Sequence, residues 1–346
     1  MKSSFVYGNS VSGNNFCLRK EQKQIEDLLN KGKSVYLVSR KNMGKTSLIL
    51  NLNLSSKIIY VDCKKDNLVQ NIAEAVLSAY LESDVNKDYA KYFLKYQHLN
   101  PTMTMNEGKV VFKIDAKDKE LEDLESIMGG VENVNFILFF DNLEYLALKH
   151  KKQSEEFLKF VKNKQCIACE SIDYNEKLYF SNKTGFQQVV LKPLDSNLYF
   201  DFCVKKMNEK NNVLSKEFFE FALNSIGENS FYRQRFFAYI FNNYEGQKLE
   251  KSDYNKIVNR LIKEDEESFE IITNSLTENQ LKVLKLLAKD LDIKIYSTKT
   301  MEEYGFQSAN AVSKMVQSLL SKNILYKKES NYEFFSPLFK SWISQN

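Results

Sequence analysis

Val35-Tyr36-Leu37-Val38-Ser39-Arg40-Lys41-Asn42-Met43-Gly44-Lys45-Thr46-Ser47 is the stretch that decides the fold of this chain. An apolar run leads into Gly44-Lys45-Thr46, and Leu48-Ile49-Leu50 continues as a helix-compatible segment. Strand, loop and helix in that order form a phosphate-binding loop. Backbone N–H groups of such a loop make a concave anion site. The Lys45 ammonium is placed to reach terminal phosphates, and the Thr46 hydroxyl to hold Mg²⁺. The pattern G-x-x-x-x-G-K-[ST] asks for Gly at position 39, where this chain has Ser39. Glycine there permits a tight turn with an open backbone, a role that small residues sometimes fill. The nucleotide-contacting candidates from this stretch are Ser39, Arg40, Asn42, Met43, Gly44, Lys45, Thr46 and Ser47.

Downstream, Asn135-Phe136-Ile137-Leu138-Phe139-Phe140-Asp141 is an uninterrupted apolar run ending in an acid. That is how a central parallel strand reads when both faces are covered. Carboxylates at the C-terminal ends of such strands sit at the ligand edge of an open α/β sheet, so Asp141 is the expected Mg²⁺ partner of Thr46. Lys57 to Cys63 reads as another buried strand, followed by helical periodicity over 68–80. Further strands are expected at 110–114, 165–171 and 187–191, and a helix over 117–128 closed by Gly129-Gly130. The strand Gln165 to Ser171 would bring Glu170 or Ser171 beside a terminal phosphate. The polar stretch 82–108 reads as an insertion without an assigned fold. These elements predict a doubly wound α/β domain.

Composition agrees with a globular chain: 346 residues, 43% hydrophobic and 27% charged, long enough for two or three domains. No apolar run approaches the roughly 20 residues that span a bilayer, and the N-terminus lacks a signal-peptide core, so a cytoplasmic location is expected. Five scattered cysteines indicate reduced thiols. Cys166 and Cys169 fall three apart on a strand and so point to opposite faces. With His98 and His150 as the chain's only histidines, a zinc site is not expected there. A net charge of +4, from 49 basic and 45 acidic residues, is too balanced to establish nucleic-acid binding.

Beyond Pro193 the pattern becomes helical, with segments at 198–207, 215–226, 230–241 and 251–272. A small helical bundle after a nucleotide domain suggests a lid, and Arg233 and Arg235 in its third helix are placed to contact a terminal phosphate. From Leu276 a capping box, Thr277 to Gln280, opens a helix to about Lys289. A short helix at 300–304 turns at Gly305 into a helix at 308–322, with a core stripe at Val312, Met315, Val316, Leu319 and Leu320. Asn310, Ser313, Lys314, Gln317 and Ser318 face outward, and two strands flank Ser330-Asn331. This order predicts a winged helix, with Asn310, Lys314, Gln317, Lys327 and Lys328 as its DNA-contacting candidates. The expected domains are 1–193, 194–275 and 276–346.

Taken in order, Phe5-Val6-Tyr7-Gly8, Phe16 to Gln22, Arg40 to Leu48, Phe139 to Leu146, Gly227 to Tyr232, Leu276 to Gln280 and Ser336 to Trp342 give the chain a family likeness. It resembles, over essentially its full length, the archaeal-type ATPases of the STAND branch of AAA+-like P-loop proteins. The resemblance implies an ASCE-type parallel core, a helical lid, a winged helix and a nucleotide-dependent switch using ATP and Mg²⁺. It assigns Arg19 to the arginine ahead of the loop near the adenine, Gly44, Lys45 and Thr46 to the loop, and Asp141 to the magnesium. Three departures stand out. Asn142 occupies the place of the usual general-base Glu, and amide side chains cannot take a proton near neutral pH. Glu144, two residues on, is a candidate replacement. Glu170-Ser171 stands where Gly-Ser is usual and would add negative charge beside a triphosphate. With Ser39, these changes predict slow hydrolysis, which a Glu at position 142 should speed.

Three readings are open from the sequence: an ATP-binding switch with slow turnover, a nucleotide-gated DNA-binding protein, and a degenerate structural subunit that binds no nucleotide. The partners to consider are ATP, double-stranded DNA, a separate effector protein and a nucleotide-dependent oligomer, with no membrane.

Overall fold

The computed structural model describes residues 5–83, 89–106, 109–128, 135–149, 151–162, 164–172, 178–290, 293–328 and 331–346. Its centre is a five-stranded parallel sheet built from β1 (Val35–Ser39), β2 (Lys57–Asp62), β3 (Phe136–Asp141), β4 (Cys166–Ser171) and β5 (Gln187–Val190). The order is β5-β1-β4-β3-β2, so β4 lies between the loop strand and the strand that ends in Asp141. All five strands run the same way, which gathers the loop, Asp141 and Ser171 at one edge.

Side-chain alternation divides the sheet cleanly. Val35, Leu37, Phe139, Ile167 and Cys169 face one apolar layer with Ile25, Leu29, Leu48 and Ile49. Tyr36, Val38, Phe140, Cys166 and Ala168 face the other, with Leu68, Ile72 and Val76 of helix Leu68–Ser83. Cys166 and Cys169 therefore lie on opposite faces, as the spacing requires. All five thiols are free and buried.

Two expectations for the middle of the chain need correction. The strand expected at 110–114 is present as Lys109–Lys113 but does not join the sheet. It pairs antiparallel with Thr102–Asn106 and buries Phe112 against the helix Leu68–Ser83 layer. The insertion thus supplies its own partner strand, and also a helix at Tyr89–Lys95. The long helix expected over 117–128 is a 3₁₀ turn at Leu121–Asp123 followed by a helix at Leu124–Ile127. Glu120 and Asp123 form a reciprocal capping box, which starts helical geometry later than periodicity suggests. Gly129 and Gly130 lie outside the described residues.

The lid helices run Ser196–Asn208, Lys216–Ile226, Ser230–Asn243 and Lys251–Asn274. Asp195, Ser215 and Asn229 each accept a backbone N–H at the start of the first three, the usual use of short polar side chains at that position.

In the winged helix, Thr277 and Gln280 form the capping box of Glu278–Lys289. Gly305, at φ 68°, ends Thr298–Tyr304, and Ser308 caps Ala309–Ser321. The wing is the antiparallel pair Leu325–Lys328 and Asn331–Phe334. The sequence reading did not anticipate a final helix, Pro337–Gln345, which starts on a Ser336 cap with proline in its first turn. Its Phe339 and Trp342 pack on Phe269 of the last lid helix, at ring-centroid distances of 5.3 and 5.8 Å. Lid and winged helix consequently share one continuous apolar core. Phe5 enters the same core beside Phe202, Phe237 and Phe241.

Candidate functional site

The loop after β1 is turned by two residues with positive φ, Asn42 at 63° and Gly44 at 94°. Asparagine and glycine are the residues that adopt this conformation at least cost. A Cβ on Gly44 would be strained by the positive φ and would also press on Arg19 Nη2, 3.0 Å away.

Lys45 is buried and its Nζ lies within hydrogen-bond reach of Ser171 Oγ (3.1 Å), Arg40 O (3.2 Å), Ser39 Oγ (3.3 Å) and Ser39 O (3.4 Å). Burial holds its pKa below the usual lysine range. Every one of these acceptors is uncharged, so Lys45 is a buried cation with no ion-pair partner among its hydrogen bonds. Thr46 Oγ1 donates to Asp141 Oδ2 at 2.6 Å. Burial raises the Asp141 carboxyl above its ordinary pKa, while the Thr46 hydroxyl and the Asn142 N–H oppose that rise. The hydroxyl and carboxylate that a magnesium ion would need are therefore already in contact.

Asn42, Gly44, Lys45, Thr46 and Asp141 line a cavity of about 430 Å³, together with Ser47, Tyr60, Asp62, Lys64, Asn142 and Ser171, whereas the candidates Ser39, Arg40 and Met43 are not part of its lining. Val6, Tyr7, Phe16, Leu194 and Phe231 add apolar and aromatic surface to the lining, beside the polar Asn9, Ser10, Ser230 and Gln234. Tyr7 and Phe231 meet edge to face at 5.7 Å. The Val11 backbone N–H donates to Ser47 Oγ at 3.2 Å, which ties this N-terminal segment to the loop helix. A cavity lined by both phosphate-loop groups and aromatic side chains suits a ligand that carries phosphates and a flat ring.

Arg19, which the resemblance assigns to the arginine ahead of the loop, lies in the cavity lining. It is buried, and its guanidinium donates to the carbonyls of Lys192 and Met43 and to Ser230 Oγ. Burial pushes its pKa down to about 10. It braces the loop against the sheet exit and the third lid helix while lining the cavity. Arg233 does not line the cavity: its Nε donates to Gly227 O at 2.7 Å and Nη1 to Leu194 O at 3.3 Å. Arg235 is likewise spent, forming ion pairs with Glu264 and Asp265. The guanidinium expected over a terminal phosphate is not supplied by either residue, because each anchors the lid internally.

Glu170 also departs from expectation. It points to the face opposite Ser171, accepting hydrogen bonds from the Tyr36 hydroxyl and from Tyr179 N. Burial raises its pKa. Its carboxyl therefore does not crowd the loop, whereas Ser171 lines the cavity and accepts from Lys45. Glu144 is buried, accepts the Ser171 N–H at 3.1 Å through Oε2, and is absent from the cavity lining. Asn142, at φ 59°, does line it and donates to Asp62 Oδ1 at 3.0 Å.

Arg40 leaves the loop in the opposite direction. Its Nη1 pairs with Glu333 of the wing, Nη2 donates to Lys327 O at 3.1 Å, and the group lies over the Tyr326 ring. Of the DNA-contacting candidates, Asn310, Lys314, Gln317 and Lys327 are exposed, and the side chain of Lys328 lies outside the described residues.

Sequence reasoning missed Asp62, Tyr60 and the apolar residues of the lining, from Val6 to Phe231. For Asp62 a signal was available: it ends a parallel strand as Asp141 does, and the rule that placed one applies equally to the other. Those apolar residues come from three separated segments, which local patterns do not bring together.

Comparison with known proteins supports the fold. The family described as "Probable winged helix domain" matches residues 267–345. The structure is similar to that of the Walker-type ATPase paby2304 of Pyrococcus abyssi, with a TM-score of 0.63 at 14% identity, covering 98% of this chain and 99% of the other. Other matches are the RuvB branch migration motor of Thermotoga maritima (TM-score 0.46, 12% identity, 96% of each chain) and a STAND protein of Pyrococcus horikoshii. The last has a TM-score of 0.39 at 14% identity, covering 98% of this chain but only 43% of the other. A comparison with curated proteins returns no match. The chain has the α/β fold of a P-loop ATPase with a C-terminal winged helix.

Proposed function

We propose that this protein is an ATP-binding switch of the STAND type that hydrolyses slowly and whose nucleotide loop reports directly to the winged helix. The observation that carries this reading is Arg40. One residue uses its backbone carbonyl to hold Lys45 and its guanidinium to hold the wing through Glu333 and Lys327. A phosphate group at Lys45 competes for the ammonium that Arg40 and Ser39 now share, and so bears on the backbone of the residue that grips the wing. Lys45 would reach the terminal phosphates; Thr46 and Asp141 would hold Mg²⁺. The magnesium would neutralise phosphate charge. Among the described residues no helix is long and apolar enough to cross a membrane.

Calorimetric titration with ATP and Mg²⁺, beside Lys45→Ala, tests nucleotide binding. Micromolar binding lost in the variant supports the proposal. A folded wild type that takes up no ATP sinks it. Amide exchange over Leu325–Phe334 then reads the switch, with protection expected to change on adding ATP and Mg²⁺. An unaltered wing would leave a nucleotide-binding protein without the proposed coupling.

A further inference from the structure

Four carboxylates lie at or just beyond the sheet edge that carries the phosphate loop: Asp62, Asp141, Glu144 and Glu170. Two have both oxygens bonded, and a third is shut off from the cavity. Asp141 accepts from Thr46 through Oδ2 and from Asn142 N through Oδ1. Glu144 has Oε2 on the Ser171 N–H and a buried Oε1 with no hydrogen-bond partner among the described residues, but it is not part of the cavity lining. Glu170 is turned to the other face by Tyr36 and Tyr179. Asp62 is different. It lines the cavity, and it lies level with Asp141 in the β2–β3 register. Its Oδ1 accepts from Asn142 Nδ2 at 3.0 Å and from Lys64 N at 3.1 Å. Its Oδ2 meets no hydrogen-bond donor among the described residues.

Asn142 explains the arrangement. Its side chain has no basic group, but its amide is fixed on a neighbouring carboxylate. The left-handed backbone at Asn142, φ 59°, is a conformation that asparagine tolerates better than most residues. One oxygen of Asp62 is thus immobilised, in a residue that lines the same cavity as Asp141 and Thr46.

We infer that Asp62, not a residue of the β3 strand end, is the base for ATP hydrolysis, with Asn142 as its positioning residue. This rests on the reading of the cavity as an ATP site. Asp62 accepts a proton from a water whose oxygen bonds the terminal phosphorus of ATP. The bond from that phosphorus to the bridging oxygen breaks, and ADP departs with the electron pair. Phosphate is the second product, and the proton passes from Asp62 to solvent. A base on the neighbouring strand restores the group that position 142 lacks, so Asn142 alone does not make the site inactive.

The test compares wild type with Asp62→Asn, which keeps shape and hydrogen-bond acceptance, in three measurements: melting temperature, ATP affinity by titration, and single-turnover conversion of bound ATP. The expected result is unchanged melting, ATP affinity equal to or tighter than wild type, and conversion slowed at least about 100-fold, as for loss of a general base. Asp62→Glu, which keeps the carboxylate, is expected to retain measurable conversion if the asparagine variant proves unstable. Normal ATP binding by Asp62→Asn with conversion within about threefold of wild type overturns the inference and leaves the ATP site standing. Loss of ATP binding in a folded Asp62→Asn also overturns it, because the carboxylate then serves ligand binding. Absence of ATP binding by wild type removes the underlying reading itself.

Discussion

Arg40 and Glu333, 293 residues apart in sequence, form an ion pair that joins the phosphate loop to the second strand of the wing. Its side chains are only about one-third exposed, and the Lys327 carbonyl holds the same guanidinium. A planar, permanently charged fork suits this double contact better than an ammonium.

Removing either partner should loosen the wing without unfolding the chain. Partly exposed pairs contribute about 0.2–1 kcal/mol, so Arg40→Ala and Glu333→Ala should each lower the melting temperature slightly. Their effects on wing amide exchange should be non-additive in the double variant. Additive effects would show that the two residues act separately.

Lys45 carries a cost in the absence of a bound anion, and that cost has a definite pH dependence. Its folded pKa lies below the unfolded value, with desolvation the main cause. The unfolded chain therefore binds more protons between the folded pKa and the usual lysine value, and stability rises with pH across that window. Lys45→Met should lose ATP binding while matching or exceeding wild type in stability at pH 7. Its advantage should shrink as pH approaches the unfolded lysine value. Urea unfolding at several pH values reads this directly, and an advantage that widens with pH would contradict the sign.

Asn142→Glu should not accelerate turnover, in contrast to the expectation from sequence. The change places a non-glycine, non-asparagine residue at φ 59°, a strain of about 1–2 kcal/mol. It also replaces the donor that holds Asp62 with a second carboxylate beside Asp141. The expected outcome is a lower melting temperature and turnover at or below wild type. A clear gain in turnover would return the base to the end of β3.

The DNA-binding reading rests on the exposed Asn310, Lys314, Gln317 and Lys327 and makes a modest prediction. With few lysines available, the log–log salt slope should be shallow, about −2 to −3 if two or three phosphates are neutralised. Anisotropy with a labelled duplex should show binding weakened by Lys314→Ala combined with Lys327→Ala. Absence of binding at low salt would remove DNA as the partner of this surface.

Local sequence determined the elements and their order. The apolar run into Gly44-Lys45-Thr46, the run ending in Asp141, the caps at Asp195, Ser215, Thr277 and Ser308, and the core stripe of Ala309–Ser321 all act within a few residues. Hydrophobic period and capping chemistry carry such information along the chain. Tertiary structure decided how charged groups were used. Arg233 and Arg235 became lid anchors, Glu170 turned away from the loop, Arg40 reached the wing, and Asp62 came level with Asp141. Whether a charge serves a ligand or a neighbouring backbone depends on which distant segments surround it after folding. Strand order and helix packing settle that, and no local pattern of residues specifies it.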